Sequence, residues 1–183
     1  MNRIPTVEAE TAPQQIAGLF DAVKKKLGIV PNMVKAMGNS AAGLQGYLAL
    51  SGAVSDGTLR PTTREKIALR IAEVNECDYC LSAHTAIGGM LKIPADDIVA
   101  ARGGETSDGK EQAILDLVDA ILETRGNVPD STYSAAQVAG VTAEEATEIV
   151  AHVALNVFTN YFNRLAQTDI DFPKVESGVA VAA

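Results

Sequence analysis

The sequence predicts an all-α protein folded as one domain. Three observations carry that expectation. Apolar residues recur at helical spacing in segment after segment, two S/T-x-x-E boxes stand ahead of such runs, and no stretch shows the alternation of a half-buried strand. At 183 residues the chain has enough interior for a core without staples or metals. Aromatics are 4 % and tryptophan is absent, so Ala, Val, Leu and Ile must build that core.

The elements follow in chain order. Residues 1–13 hold two prolines and no periodicity, and read as an extended N-terminal arm. From 14 to 172 the spacing predicts one helical domain. Ile16, Leu19, Phe20, Val23 and Leu27 mark a helix that stops at Gly28. Pro31 is placed to open a short helix through Met37. Ala41 to Val54 reads as a third helix, ended by SDG. Thr62 to about Val74 is a fourth, with Thr62 and Glu65 as its capping box. Asn75-Glu76 is a break, and a fifth helix runs from about Cys77 to Leu91. Pro94 opens a sixth through Ala101, and Asp108 to Thr124 is long and amphipathic. Ser131 to Ala139 is short. Thr142 and Glu145 form the second capping box, before the longest helix, to about Gln167. Residues 173–183 read as a flexible, frayed tail.

Bulk properties exclude several classes of function. The net charge is −8, from 15 basic and 23 acidic residues, which argues against a phosphate-binding surface for nucleic acid and against polybasic membrane docking. The N-terminus has no apolar signal-peptide core, and no apolar run approaches the roughly 20 residues of a membrane span. The expectation is a soluble, cytoplasmic protein. In such a chain a C-x-x-C pair points to redox chemistry or metal more than to a stabilising staple.

Both cysteines and one of the two histidines fall in ECDYCLSAH, residues 76–84. On one helix Cys77 and Cys80 are neighbours at i, i+3, roughly 5 Å apart and within disulfide range. His84 lies one turn beyond Cys80, and a thiol beside a base is the minimal activated nucleophile. If the chain reverses near residue 75, Glu65 comes opposite residue 85 and meets His84, giving orienter, base and nucleophile in order. Helix-end electrostatics favours Cys77 as the attacking thiol, and proximity to His84 favours Cys80.

Plainer readings stand beside each of these. The cysteines could be two structural thiols. Cys77, Cys80, His84 and His152 could hold zinc, although three ligands on one helix and a distant fourth is poor spacing for it. Glu65 could serve only as the capping-box residue. Tyr79 is either a pocket wall or a surface aromatic, His152 a packing histidine or a substrate contact, and Asn160 (like Phe158) core or pocket.

Glu65, Cys77-Asp-Tyr-Cys80 and His84 together resemble the active-site pattern of the alkyl hydroperoxidase D family, within the carboxymuconolactone decarboxylase-like group. VPNMVKAMGNS, GYLALSGAV, TTREKIALRIAEVNECDYCLSAHTAIG and VALNVFTNYFNRLAQTDIDFP are similar to its peroxidase-related branch. The resemblance implies a helical bundle that assembles as a homotrimer or hexamer and reduces hydroperoxides. It implies Cys80 as peroxidatic thiol, Cys77 as resolving thiol, and His84 with Glu65 as proton relay. Tyr79, His152 and Asn160 are weaker candidates for substrate contacts. No cofactor or metal is expected beyond the redox-active pair, which an external dithiol or lipoyl-type reductant protein would reduce. Two alternatives remain: a lactone decarboxylase without redox role, or a non-catalytic module with a structural or metal-binding C-x-x-C. The best-known members carry a histidine where this chain has Tyr79.

Overall fold

A computed structural model describes residues 2–178. Among them are nine helices and no strand: α1 (Gln14–Leu27), α2 (Asn32–Met37), α3 (Ala41–Ser55), α4 (Pro61–Val74), α5 (Asp78–Met90), α6 (Ala95–Gly103), α7 (Gly109–Thr124), α8 (Asp130–Val138) and α9 (Ala143–Ala166). The all-α expectation holds. No helix among the described residues is long and apolar enough to cross a membrane.

Local chemistry sets most boundaries. Gly28 ends α1 at φ 78°, the left-handed conformation that glycine adopts without a Cβ penalty. Ser40 caps α3 by accepting from the Gly43 N–H. Asp108 caps α7 by accepting from the backbone of Lys110 and Glu111. Thr142 and Glu145 form the reciprocal box that opens α9.

The other expected box does not form. Pro61 occupies the first turn of α4 with Arg60 as its cap residue and no side-chain cap bond. A proline at the first helical position has a preset φ and no N–H to lose, so the helix begins ahead of Thr62. Glu65 is thereby left out of capping and projects from the helix body.

Helix α4 organises the core. It packs against α5, α6, α7 and α9, and buries eight of its 14 residues, Lys66 and Glu73 among them. Leu69 and Ala72 enter one apolar cluster, with Phe20, Val34, Leu44 and Leu81. Ile67 and Ile71 enter a second, with Leu115, Val118 and Ile149. Charges buried on α4 are paired. Lys66 Nζ donates to Glu111 Oε2 at 2.6 Å, and the Thr63 hydroxyl donates to Oε1 at 2.6 Å. Arg102 Nε donates to Glu73 at 2.8 Å.

Both ends of the chain are tied down where described. The backbone N–H groups of Arg3 and Ile4 donate to Ala166, and that of Val7 to Lys35. The expectation of a frayed tail needs correction over residues 173–178. There Val175 N donates to Ser82 Oγ at 2.9 Å, Ser177 N to Asp78 at 2.9 Å and Gly178 N to Glu73 at 2.6 Å. Arg102 also holds the carbonyl of Glu176. Small residues that suggested fraying instead let the backbone lie close to α4 and α5. The remainder of that expected tail, 179–183, and Met1 of the arm lie outside the described residues.

Replacing Glu111 by alanine should cost about 3 kcal/mol in urea denaturation, because it strands the Lys66 ammonium in the interior. Lys110→Ala, which removes a partner of Glu145 whose side chain is 40 % exposed, should cost under about 1 kcal/mol.

Candidate active site

The α4–α5 reversal builds the site. Asn75 ends α4, and Glu76 takes φ 50°. Cys77 then caps α5, its sulfur accepting from the Cys80 N–H at 3.3 Å. Helix α9 braces the turn: Asn75 Nδ2 donates to Asn160 Oδ1 at 3.0 Å, and Arg164 donates to the carbonyls of Asn75 and Glu76.

The reversal brings together what the sequence separates by 19 residues. His84 Nδ1 and Glu65 Oε2 lie 2.7 Å apart, with both side chains largely covered. The carboxylate fixes the ring's orientation and supports a proton on Nδ1, leaving Nε2 as the ring's other proton-exchanging nitrogen. Cys77 and Cys80 are joined as a disulfide, with Cα atoms 5.3 Å apart.

One cavity of about 440 Å³ receives these groups. Glu65 comes from α4, and Cys80 and His84 from α5. Its other walls are mainly apolar and include Val23, Met33, Leu48, Ala68, Ile87 and Phe172. The two cysteines differ here. Cys80 lines the cavity, whereas Cys77 sits behind it at 1 % exposure.

Of the weaker candidates, Tyr79 is a wall residue and an anchor. Its hydroxyl accepts from Met33 N at 3.1 Å, and its ring meets Phe172 edge to face at 5.8 Å. Burial first, and then the hydrogen bond to Asp171, push its phenol far above the usual tyrosine range. It is therefore neither a surface aromatic nor a base. His152 also lines the cavity, and its Nε2 has no hydrogen-bond partner. Burial and then the Arg64 guanidinium hold it below the usual histidine range, against the opposing pull of Glu148 and Glu65. Asn160 falls outside the cavity lining and braces Asn75 instead.

Sequence reasoning missed Arg64, Tyr47 and Asn163 as cavity residues. Asn163 was legible: stepping from His152 at helical spacing selects Asn156, Thr159 and Asn163, which are the α9 positions on the wall along with Leu155. Asn160 lies about 80° around the helix from His152, at the edge of that stripe. Among the described residues no three His, Cys, Asp or Glu side chains are gathered as a metal site would require.

Comparison with known proteins agrees with this architecture. The sequence model of the carboxymuconolactone decarboxylase family matches residues 42–123, from α3 through α7. Comparison with curated proteins returned no match. Among solved structures, an uncharacterized peroxidase-related protein with an alkylhydroperoxidase AhpD core, from Ralstonia eutropha JMP134, superposes with a TM-score of 0.83 at 25 % identity, covering 93 % of this chain and 92 % of its own. A peroxidase-related protein from Silicibacter sp. TM1040 gives 0.79 at 20 % identity, covering 91 % and 89 %. A cysteine-to-alanine variant of the debrominase Bmp8, in complex with 2,3,4-tribromopyrrole, gives 0.75 at 21 % identity, covering 92 % and 91 %. The class these define is the AhpD-like helical protein. Residues 42–123 are thus similar to the carboxymuconolactone decarboxylase family, and the fold as a whole is similar to that of AhpD-like proteins.

The buried His152 sets a pH dependence. Its folded pKa lies below the unfolded value of 6.5, so the unfolded chain binds more protons as pH falls past that point. Its contribution is present above about pH 6.5 and is lost as pH drops through the folded value. Urea midpoints at pH 7.5, 6.5 and 5.5 should fall more steeply for the wild type than for His152→Gln, by at most about 1.4 kcal/mol per pH unit.

Proposed function

We propose that the chain is a thiol-dependent peroxidase and disulfide oxidoreductase working through Cys77 and Cys80. The observation that carries this reading is the placement of Cys80 on one cavity wall with the His84–Glu65 pair. In the reduced protein His84 takes the Cys80 proton. The thiolate attacks the outer oxygen of a hydroperoxide and the O–O bond breaks. An alkoxide leaves and takes the proton from His84, which gives an alcohol and a sulfenic acid on Cys80. Cys77 then attacks the Cys80 sulfur, hydroxide departs as water with the Cys77 proton, and the disulfide closes. Two thiols have reduced one peroxide.

The helix start favours a thiolate on Cys77, since the Cys80 N–H points at its sulfur. That suits Cys77 to the second, resolving step. An external dithiol, for which a lipoyl-type reductant protein is chemically suited, would return the electrons, and a reducing compartment such as the cytoplasm would supply it. No bound cofactor enters the cycle.

A second reading rests on the cavity. Its volume and apolar walls exceed what hydrogen peroxide needs, and they suit an organic molecule. The fold similarity to a debrominase suggests one alternative substrate, a halogenated ring. There the same dithiol would supply two electrons, halide would leave and a proton would take its place on carbon.

Incubating the reduced protein with one equivalent of an organic hydroperoxide, then alkylating and weighing it, should show rapid loss of both thiols. Cys77→Ser should hold a sulfenic acid on Cys80, and Cys80→Ser should stay unreacted. Glu65→Gln should slow the first step by about 100-fold. Thiols that persist for hours would sink the peroxidase reading, and bromide release from a brominated pyrrole would favour the second.

Assembly is proposed as a homotrimer or hexamer. Val150, Phe158, Tyr161 and Leu165 leave 40 to 60 % of their surface exposed, along one side of α9. Burial of that stripe between copies would remove an apolar surface from water. Sedimentation should find three or six chains of 19.1 kDa, and a Tyr161→Glu, Leu165→Glu double variant should dissociate.

A further inference from the structure

Tyr79, the residue beside Cys80, has its hydroxyl occupied by Met33 N and Asp171. The side chain that meets the Cys80 sulfur comes from α9. Asn163 Nδ2 lies 3.3 Å from Cys80 Sγ and 3.2 Å from Met33 Sδ. The side chain is 3 % exposed, and its Oδ1 has no partner.

We propose that Asn163 is a catalytic residue that stabilises the Cys80 thiolate by an N–H···S⁻ hydrogen bond from α9. A buried carboxamide normally satisfies its oxygen as well as its nitrogen. Here both N–H groups are spent on sulfur and the oxygen goes without. Disulfide and thioether sulfurs are weak acceptors, whereas a thiolate is a strong, charge-assisted one. The arrangement therefore gains most when Cys80 is an anion. Turned over, the same amide would present its oxygen to a Cys80 S–H, so one side chain serves both protonation states.

Other titratable and charged groups share the cavity with this sulfur. From α5 there are His84 and Tyr79, and from α4 Glu65 and Arg64. Helices α3, α9 and α1 add Tyr47, His152 and Lys26 to the same cavity. None of the hydrogen bonds of Asn163 goes to any of them. Substitution at Asn163 thus reads out one contact on one sulfur. The inference relies on the thiol reading only for Cys80 being the attacking sulfur.

The test measures the Cys80 thiol without peroxide. In a Cys77→Ser background, where serine preserves a capping side chain, the rate of iodoacetamide alkylation of Cys80 is followed by mass spectrometry from pH 5 to 9. Asn163→Leu removes the donor. Asn163→Asp keeps the shape and sets an acceptor against the sulfur. Each variant is first shown to be folded by circular dichroism. Both should raise the alkylation midpoint by about one pH unit or more, Asp at least as far as Leu, with about a tenfold slower reaction at pH 7. If Leu does not fold, the near-isosteric Asp variant decides. A folded variant whose midpoint stays in place, or moves down, overturns the assignment. Failure of the peroxidase reading looks different: thiols that ignore hydroperoxide while the midpoint still rises on substitution.

Discussion

The left-handed turn at Glu76 is the constraint on which the site depends. Two helices that would otherwise continue as one rod are folded back, so residues ten positions either side of the turn become neighbours. A non-glycine residue at positive φ is strained unless its surroundings hold it there. Those surroundings are Arg164 on the two carbonyls, Asn160 on the Asn75 amide, and the Cys77 N–H on Ala72. Helix α9 therefore supports the candidate site from behind the turn and lines its cavity further along.

The same geometry separates the cysteines by position. As the cap residue, Cys77 is fixed by the first turn of α5 and is turned away from the cavity. One turn further, Cys80 faces it. The two arguments that conflicted at the level of sequence now attach to different sulfurs: the helix end to Cys77, and the cavity shared with His84 to Cys80.

The Glu65–His84 contact was legible because a hairpin has simple arithmetic: equal distances from the turn face each other. Most helix boundaries were legible from caps and prolines. What failed was a competition the pattern cannot rank. Thr62 and Glu65 match a capping box, but Pro61 starts the helix first, and that frees the carboxylate for histidine. Asn160 and Asn163 look equivalent in the sequence, and only the angle around α9 separates a brace from a wall residue. The docking of residues 173–178 was illegible because backbone groups make most of its contacts, and they leave little mark in residue type.

Helix α4 gives side chains to both apolar clusters, Leu69 to one and Ile67 and Ile71 to the other. A bundle with two unlinked cores would open one half at a time. Here neither half can loosen without withdrawing support from the helix that carries Glu65, and through the turn from the cysteines. The chain is in this sense a single cooperative unit, in which the frame of the candidate site is shared by both apolar clusters. A loss of packing in either cluster is then felt at the Glu65–His84 pair, which α4 and α5 hold together.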